Sequence, residues 1–284
     1  MPRQAARPHS RAVPTATVTA AAIARALVVA TAVAVAGCAK SGPGTGARAG
    51  TDPTPTASLG AALGKPIAEM TQGEIDASVQ RYTVAYERNR EDKSTGLAFA
   101  QLLTAAGRSE QALAVMRQMA IRHSEDRDVL AAYGKAQAGA GDLQGALRSI
   151  RSAQRPDAPD WKLMSAEGAI HDQLGNAAQA RALYRRALDM APGEASILSN
   201  MGMSYVLEGD LPTAESYLAS AAGAKGADSR IRQNLALVVG LQGRFKEAEQ
   251  IASRELSPAQ AEANLKYLRS MLSQRDDWSE LNRA

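Results

Sequence analysis

One cysteine, Cys38, occurs in 284 residues, so no internal disulfide can form. Aromatic residues are few: two Phe, two Trp and seven Tyr. That excludes a β-sandwich or barrel of this length, which leans on aromatic and β-branched side chains. There are only three histidines. With one Cys and so few His, Cys–His nucleophilic catalysis, cysteine-rich zinc sites and histidine-rich metal sites have no residues to build on. A true excess of one charge is missing too. The formal net charge is +4, but the first 37 residues contribute Arg3, Arg7, Arg11 and Arg25 and no acid. The remainder balances 29 basic residues against 29 acidic ones, which argues against a nucleic-acid binder. What is abundant is alanine, 59 residues, together with Leu, Arg, Gln and Glu, the residues that favour helices.

The N-terminus has the order of an export signal. Basic residues precede an 11-residue apolar run from Ala26 to Ala36, broken only by Thr31. The run is too short to cross a bilayer as a helix but suits a signal-peptide core. It ends in Val35-Ala36-Gly37-Cys38. These small residues before a Cys resemble the lipobox of bacterial lipoproteins. The resemblance implies removal of residues 1–37 and a covalent lipid on Cys38. It also accounts for a lone Cys in an exported chain, where a free thiol is a liability. Ala39 follows, and in enterobacterial lipoproteins a residue other than Asp there permits transport to the outer membrane. Residues 38–71 then read as the lipidated Cys and a flexible Gly/Pro/Thr linker, with Ser41-Gly-Pro-Gly-Thr-Gly46 and Thr51-Asp-Pro-Thr-Pro-Thr56. Such a coil spans roughly 30 Å.

The body repeats with a period of 34. Gly107, Gly141, Gly175, Gly209 and Gly243 are evenly spaced. Five residues after each stands an alanine: Ala112, Ala146, Ala180, Ala214 and Ala248. Seven residues before each stands a small residue: Ala100, Gly134, Gly168, Gly202 and Ala236. Larger residues fill a further column, Met116, Ile150, Tyr184 and Leu218. Three small-residue columns in register without a gap resemble the tetratricopeptide repeat (TPR), a 34-residue helix–turn–helix. The resemblance implies an all-α superhelical solenoid over 72–272. Its repeats fall at about 93–126, 127–160, 161–194, 195–228 and 229–256. A lone second-type helix at 72–90, carrying Tyr82 and Ala85, opens the stack. A helix over 258–272, opened by Pro258, caps it, and 273–284 forms a C-terminal tail.

No catalytic or metal constellation emerges. Past the leader, the histidines are His123, in an inter-repeat loop, and His171, four residues after Glu167 on one helix. The expected role of Glu167 and His171 is a partly buried ion pair. No membrane span follows the leader, and no cofactor or small-molecule substrate is expected beyond the lipid on Cys38. The expected ligand is a protein. In TPR arrays the first helices of the repeats line a concave groove that takes extended peptides or partner helices. The sixth residue of each repeat faces it: Ala98, Ala132, Ala166, Asn200 and Asn234. Asn is a poor helix former, so two at one column suggest a use, and the resemblance implies a hold on a ligand backbone. Met203, Leu207, Arg230, Gln233, Leu237 and Leu241 would surround them.

A closer resemblance lies in three stretches. They are Asp160-Trp161 with Gln173-Leu174-Gly175, the run Arg230-Ile-Arg-Gln-Asn-Leu-Ala-Leu-Val-Val-Gly-Leu-Gln-Gly-Arg244-Phe245, and Ala263-Asn264 through Leu272. These are similar to the TadD family, TPR lipoproteins of the tight-adherence (Flp pilus) secretion system. Glu167, His171 and Arg232 depart from it at columns that are normally apolar. The resemblance implies a non-catalytic adaptor on the periplasmic side of the outer membrane. It would assist assembly of the pilus apparatus, with a pilotin-like role toward the secretin ring. The alternative is a general envelope scaffold that recruits peptidoglycan or other envelope enzymes.

The lipid assignment has a direct check. Cys38→Ala should abolish palmitate labelling and leave the protein uncleaved or free in the periplasm. A variant still acylated and membrane-bound would refute it.

Overall fold

The computed structural model describes residues 65–67, 70–254, 266, 269 and 270. The leader, Cys38, most of the linker, most of the 258–272 helix and the tail lie outside these residues. Eleven α-helices follow one another among the described residues, with no strand. They are α1 (Gln72–Arg88), α2 (Lys93–Ala105), α3 (Ser109–Arg122), α4 (Arg127–Gly139), α5 (Leu143–Ala153), α6 (Trp161–Gln173), α7 (Ala177–Met190), α8 (Ala195–Glu208), α9 (Leu211–Gly223), α10 (Ser229–Leu241) and α11 (Phe245–Ala252). None is long and apolar enough to cross a membrane. Helices α2 to α11 form five A/B pairs, and α1 packs on α2 ahead of the first pair.

Two terminus devices recur at the repeat period. The first is the turn from A to B. Gly107, Gly141, Gly175, Gly209 and Gly243 all take positive φ, between 72° and 86°. In each turn the next residue's N–H reaches back five residues: Arg108 to Leu103, Asp142 to Gln137, Asn176 to His171, Asp210 to Tyr205 and Arg244 to Val239, at 2.8 to 3.2 Å. This is the Schellman closure, which satisfies carbonyls the ending helix leaves open. The second device is an acid at the start of every A helix. Asp92, Asp126, Asp160, Glu194 and Asp228 are N-caps whose carboxylates accept backbone N–H groups of the first turn. The anion also suits the positive end of the helix dipole.

Packing follows the small-residue columns. The five B-helix alanines, Ala112 to Ala248, are at most 1% exposed. Met116, Ile150, Tyr184 and Leu218 are equally buried. Each large apolar side chain so buried contributes roughly 1.5–3 kcal/mol. The facing A-helix residue must be small because its neighbour is close. A Cβ built on Gly202 would lie 2.7 Å from Leu218 Cγ and 3.0 Å from the Ala214 carbonyl oxygen. The interior is one file of side chains continuing from pair to pair. Helix α1 enters that file through Ile75, Val79 and Tyr86, with Tyr82 half-buried. Ala85 is exposed, so the buried stripe of α1 is rotated away from the column assigned from the sequence. Past α11 the backbone is helical again at Lys266, Arg269 and Ser270. The Arg269 guanidinium lies 4.9 Å from the Phe245 ring centre.

Three kinds of glycine should respond differently. Gly202→Ala should lose about 1–2 kcal/mol, overpacking outweighing the gain in helix propensity. Gly223→Ala meets open space and should be neutral or stabilising. Gly175→Val should lose about 1–2 kcal/mol because a β-branched residue resists positive φ. Urea midpoints of the three variants check the ordering.

Candidate binding groove

Successive A helices pack directly on one another: α2 on α4, α4 on α6, α6 on α8 and α8 on α10. B helices pack almost wholly against A helices. The side on which rods stand closest is the inside of the bend, so the A helices form the concave wall and the B helices the outer one.

Asn200 on α8 and Asn234 on α10 occupy the same place on this inner wall. The Asn200 Nδ2 donates to Ser165 Oγ on α6 at 3.0 Å, and the Asn234 Nδ2 donates to Ser199 Oγ on α8 at 3.3 Å. Each amide thus ties its A helix to the preceding one. The expected hold on a ligand backbone has only one end of each amide to draw on, since the other is committed to a serine. The carbonyl end has no hydrogen-bond partner among the described residues. A serine hydroxyl both donates and accepts, so an amide turned the other way would satisfy it equally and offer its NH2 instead.

The other groove residues divide by chemistry. Met203 and Leu241 pack partly into the core cluster of Val206, Leu218 and Val238. Leu207 and Leu237 are half-buried on the same helices and keep apolar surface available. Gln233 Nε2 donates to Ser229 Oγ at 2.9 Å. Arg230 pairs with its own helix cap, Asp228, at 3.1 Å and remains exposed. The wall around Asn200 and Asn234 is therefore apolar and thioether surface, with amide groups held by short local bonds.

Behind this wall lies a buried acid that no sequence column marked. Asp172 near the end of α6 is 9% exposed. It accepts the Tyr184 hydroxyl from α7 at 2.8 Å and the Ser204 hydroxyl from α8 at 2.8 Å. Burial pushes its carboxyl above the usual carboxylate range, against the two hydroxyl donors and the distant Arg181, which lower it. Burial and the adjacent Asp172 also push the Tyr184 phenol far up, so it stays a donor. One carboxylate thereby joins three helices across a repeat boundary.

Glu167 and His171 are close but do not form a simple pair. Their atoms stand 4.0 Å apart, whereas Arg151 Nε from α5 donates to Glu167 Oε1 at 2.7 Å. His171 is 8% exposed, with Arg151 Nη2 at 3.5 Å and Asn176 Nδ2 at 3.4 Å. A third residue, 16 positions upstream of Glu167, supplies the main counter-charge. Arg232, the other polar residue at an apolar column, turns its guanidinium onto the Ala227 carbonyl at 3.1 Å. His123 lies between repeats, its Nε2 3.0 Å from the Glu91 carbonyl. Sequence reading missed Ser165 and Ser199, although their 34-residue spacing shows in the sequence, and it missed the equally periodic acidic caps. It had no signal for Asp172, which breaks the repeat.

Asp172 gives a pH prediction. Its folded value is raised, so the native state disfavours the charged form. Below the unfolded value the group is neutral in both states and costs nothing. Stability then falls as pH rises from the ordinary Asp range through the elevated folded value, by about 1.4 kcal/mol per unit of difference. Asp172→Asn should lose less stability than the parent as pH rises above the ordinary Asp range. Equal pH slopes in urea titrations would refute the assignment.

The comparisons agree with this geometry. The tetratricopeptide repeat family matches residues 97–118 and 163–186, which span the turns of the first and third A/B pairs. No curated protein matches the chain. Among solved structures, a thermophilic TPR protein of Thermus thermophilus is similar with a TM-score of 0.52 and 20% identity, over 65% of this chain and 97% of that one. The APC/C hetero-tetramer Cut9-Hcn1 is similar with a TM-score of 0.55 and 14% identity, over 76% of this chain and 42% of that one. The repeat matches in the first and third pairs and the continuous file of A/B pairs give this chain an all-α tetratricopeptide-repeat fold.

Proposed function

We propose that this protein is a non-catalytic adaptor lipoprotein related to TadD. It is anchored through Cys38 to the outer membrane, faces the periplasm and assists assembly of a Flp/Tad pilus apparatus. The observation that carries this reading is the run Arg230 to Phe245 beside a lipobox-like Val35-Ala36-Gly37-Cys38. The fold supports a protein-binding role, since TPR walls offer surface rather than a reaction centre. The partner lies along α6, α8 and α10. It presents backbone groups to the free ends of Asn200 and Asn234 and apolar side chains to Met203, Leu207, Leu237 and Leu241. Met and Leu adapt to varied side chains. The secretin is the first candidate partner, in a pilotin-like role.

The double variant Asn200→Ala with Asn234→Ala tests both levels. It removes two inter-repeat bonds worth about 1 kcal/mol each and gains helix propensity of similar size. Its melting temperature should therefore shift little. Capture of the secretin should fall, because each lost groove bond costs about 1–3 kcal/mol where the ligand group stays buried and unpaired. Normal melting with undiminished secretin capture would refute the groove. Deleting the gene should leave cells without assembled pili. Intact pili with altered cell-wall cross-linking would favour the general envelope scaffold instead.

A further inference from the structure

The outer wall of the first three pairs is chemically one-sided. Helices α3, α5 and α7 carry seven arginines and no lysine, against two acids. The acids, Glu110 and Asp189, sit in the first turn of α3 and the last turn of α7, at the two ends of the patch. Three arginines are engaged: Arg122 with Glu91, Arg151 with Glu167 and Arg181 with Glu208. Arg117, Arg148, Arg185 and Arg186 are exposed and have no carboxylate partner among the described residues. Arg117, Arg151 and Arg185 share one column, 34 residues apart, so the solenoid repeats the charge once per pair. The chain beyond residue 37 is neutral overall, so this concentration is a segregation of charge and not a general excess.

The charges border two hollows. One, of about 350 Å³, lies between α3 and α5, with Arg117 and Arg148 at its edge and Ile121, Leu130 and Tyr133 in its lining. Ile121 is 69% exposed, the most exposed large apolar residue described. The other, of about 290 Å³, lies between α5 and α7, with Arg151 and Arg186 beside Leu183. Its one acid, Glu167, is already held by Arg151. Both hollows thus combine guanidinium groups, Arg117 and Arg148 unpaired at the first and Arg186 at the second, with apolar surface at equivalent places in successive pairs.

We propose that this outer face docks an acidic protein segment that interleaves carboxylates with apolar side chains. The choice of arginine fits carboxylates, which its planar fork meets with two parallel bonds. The apolar lining beneath the charges fits side chains entering from an acidic segment. An anionic lipid surface shares the charge but fits less well. It is flat, and this wall bends away from it, so it would meet one crest at a time. A flexible segment can follow the bend from one hollow to the next. This surface is separate from the groove of α6, α8 and α10, and its occupation does not depend on the role given to that groove.

The probe is a fluorescent peptide of five copies of Glu-Glu-Leu-Ser, titrated with the full-length chain by anisotropy. Two control peptides replace every Glu by Gln or every Leu by Ser. The parent protein should bind the first peptide, more weakly as salt rises, and should lose affinity for both controls. Arg117→Glu with Arg148→Glu should weaken binding by about tenfold or more, and Arg117→Gln with Arg148→Gln by less. Arg, Glu and Gln are comparable helix formers, so circular dichroism should be unchanged; should the Glu variant fold poorly, the Gln variant decides alone. Ile121→Ser should weaken the Leu-containing peptide and leave the Leu-to-Ser control unaffected. Binding that survives both double variants, or no binding by the parent, overturns the proposal. It is also overturned if the arginines govern only the increment in binding to phosphatidylglycerol vesicles over phosphatidylcholine vesicles, with peptide affinity unmoved.

Discussion

The close approach of each A helix to its own B helix is the constraint on which the rest depends. It requires a residue with little or no side chain on A, an alanine on B, and a turn short enough to bring the two together. Gly202 against Leu218 and the Ala214 carbonyl shows how little space remains. The positive-φ glycine and the five-residue backward bond set the turn. Because all three conditions recur every 34 residues, each pair leaves the same apolar edge for the next. Stability is then a sum over neighbours and not the property of a central core.

On that uniform frame one acidic N-cap has a second use. Asp126 caps α4 and also receives Lys93 Nζ from α2 at 2.6 Å, while Asp128 receives it at 2.9 Å. Lys93 and Asp126 hold each other charged, the lysine raised and the acid lowered in pKa, both through this contact and against burial. A cap that satisfies its own helix thus also binds the preceding repeat. The pair is part-exposed, so its worth is that of a surface ion pair, about 1 kcal/mol at most.

The third and fourth repeats depart from the frame. Asp172 with Tyr184 and Ser204, and Arg151 with Glu167 and His171, put polar groups into the packing between helices. Buried polar groups stabilise only when fully satisfied, and they favour one register over others. The Asp172 contacts tie α6 to α8, the helix that carries Asn200. A fixed register there sets the place of the Asn200 amide on the inner wall. The outer wall obeys another rule. The outward face of the B helices contributes little to packing, and four arginines stand there without a carboxylate partner among the described residues.

The sequence alone determined the helical class, the period and the turn positions. Gly107 to Gly243, Ala112 to Ala248 and the small A-helix column are short-range requirements repeated along the chain, and periodicity makes such requirements visible. It also placed Asn200 and Asn234 on one column. Only the tertiary structure decided what those amides touch, since Ser165 and Ser199 lie 35 residues before them and a hydroxyl can bond in many directions. It likewise decided that Arg151, and not His171 alone, balances Glu167, that Ala85 of α1 faces outward, and that Asp172 joins three helices. The polar contacts depend on which side chain reaches across a gap between helices, and the place of Ala85 on how α1 is rotated against α2. Both are set by interhelical geometry and rotamer, and neither leaves a periodic trace in the sequence.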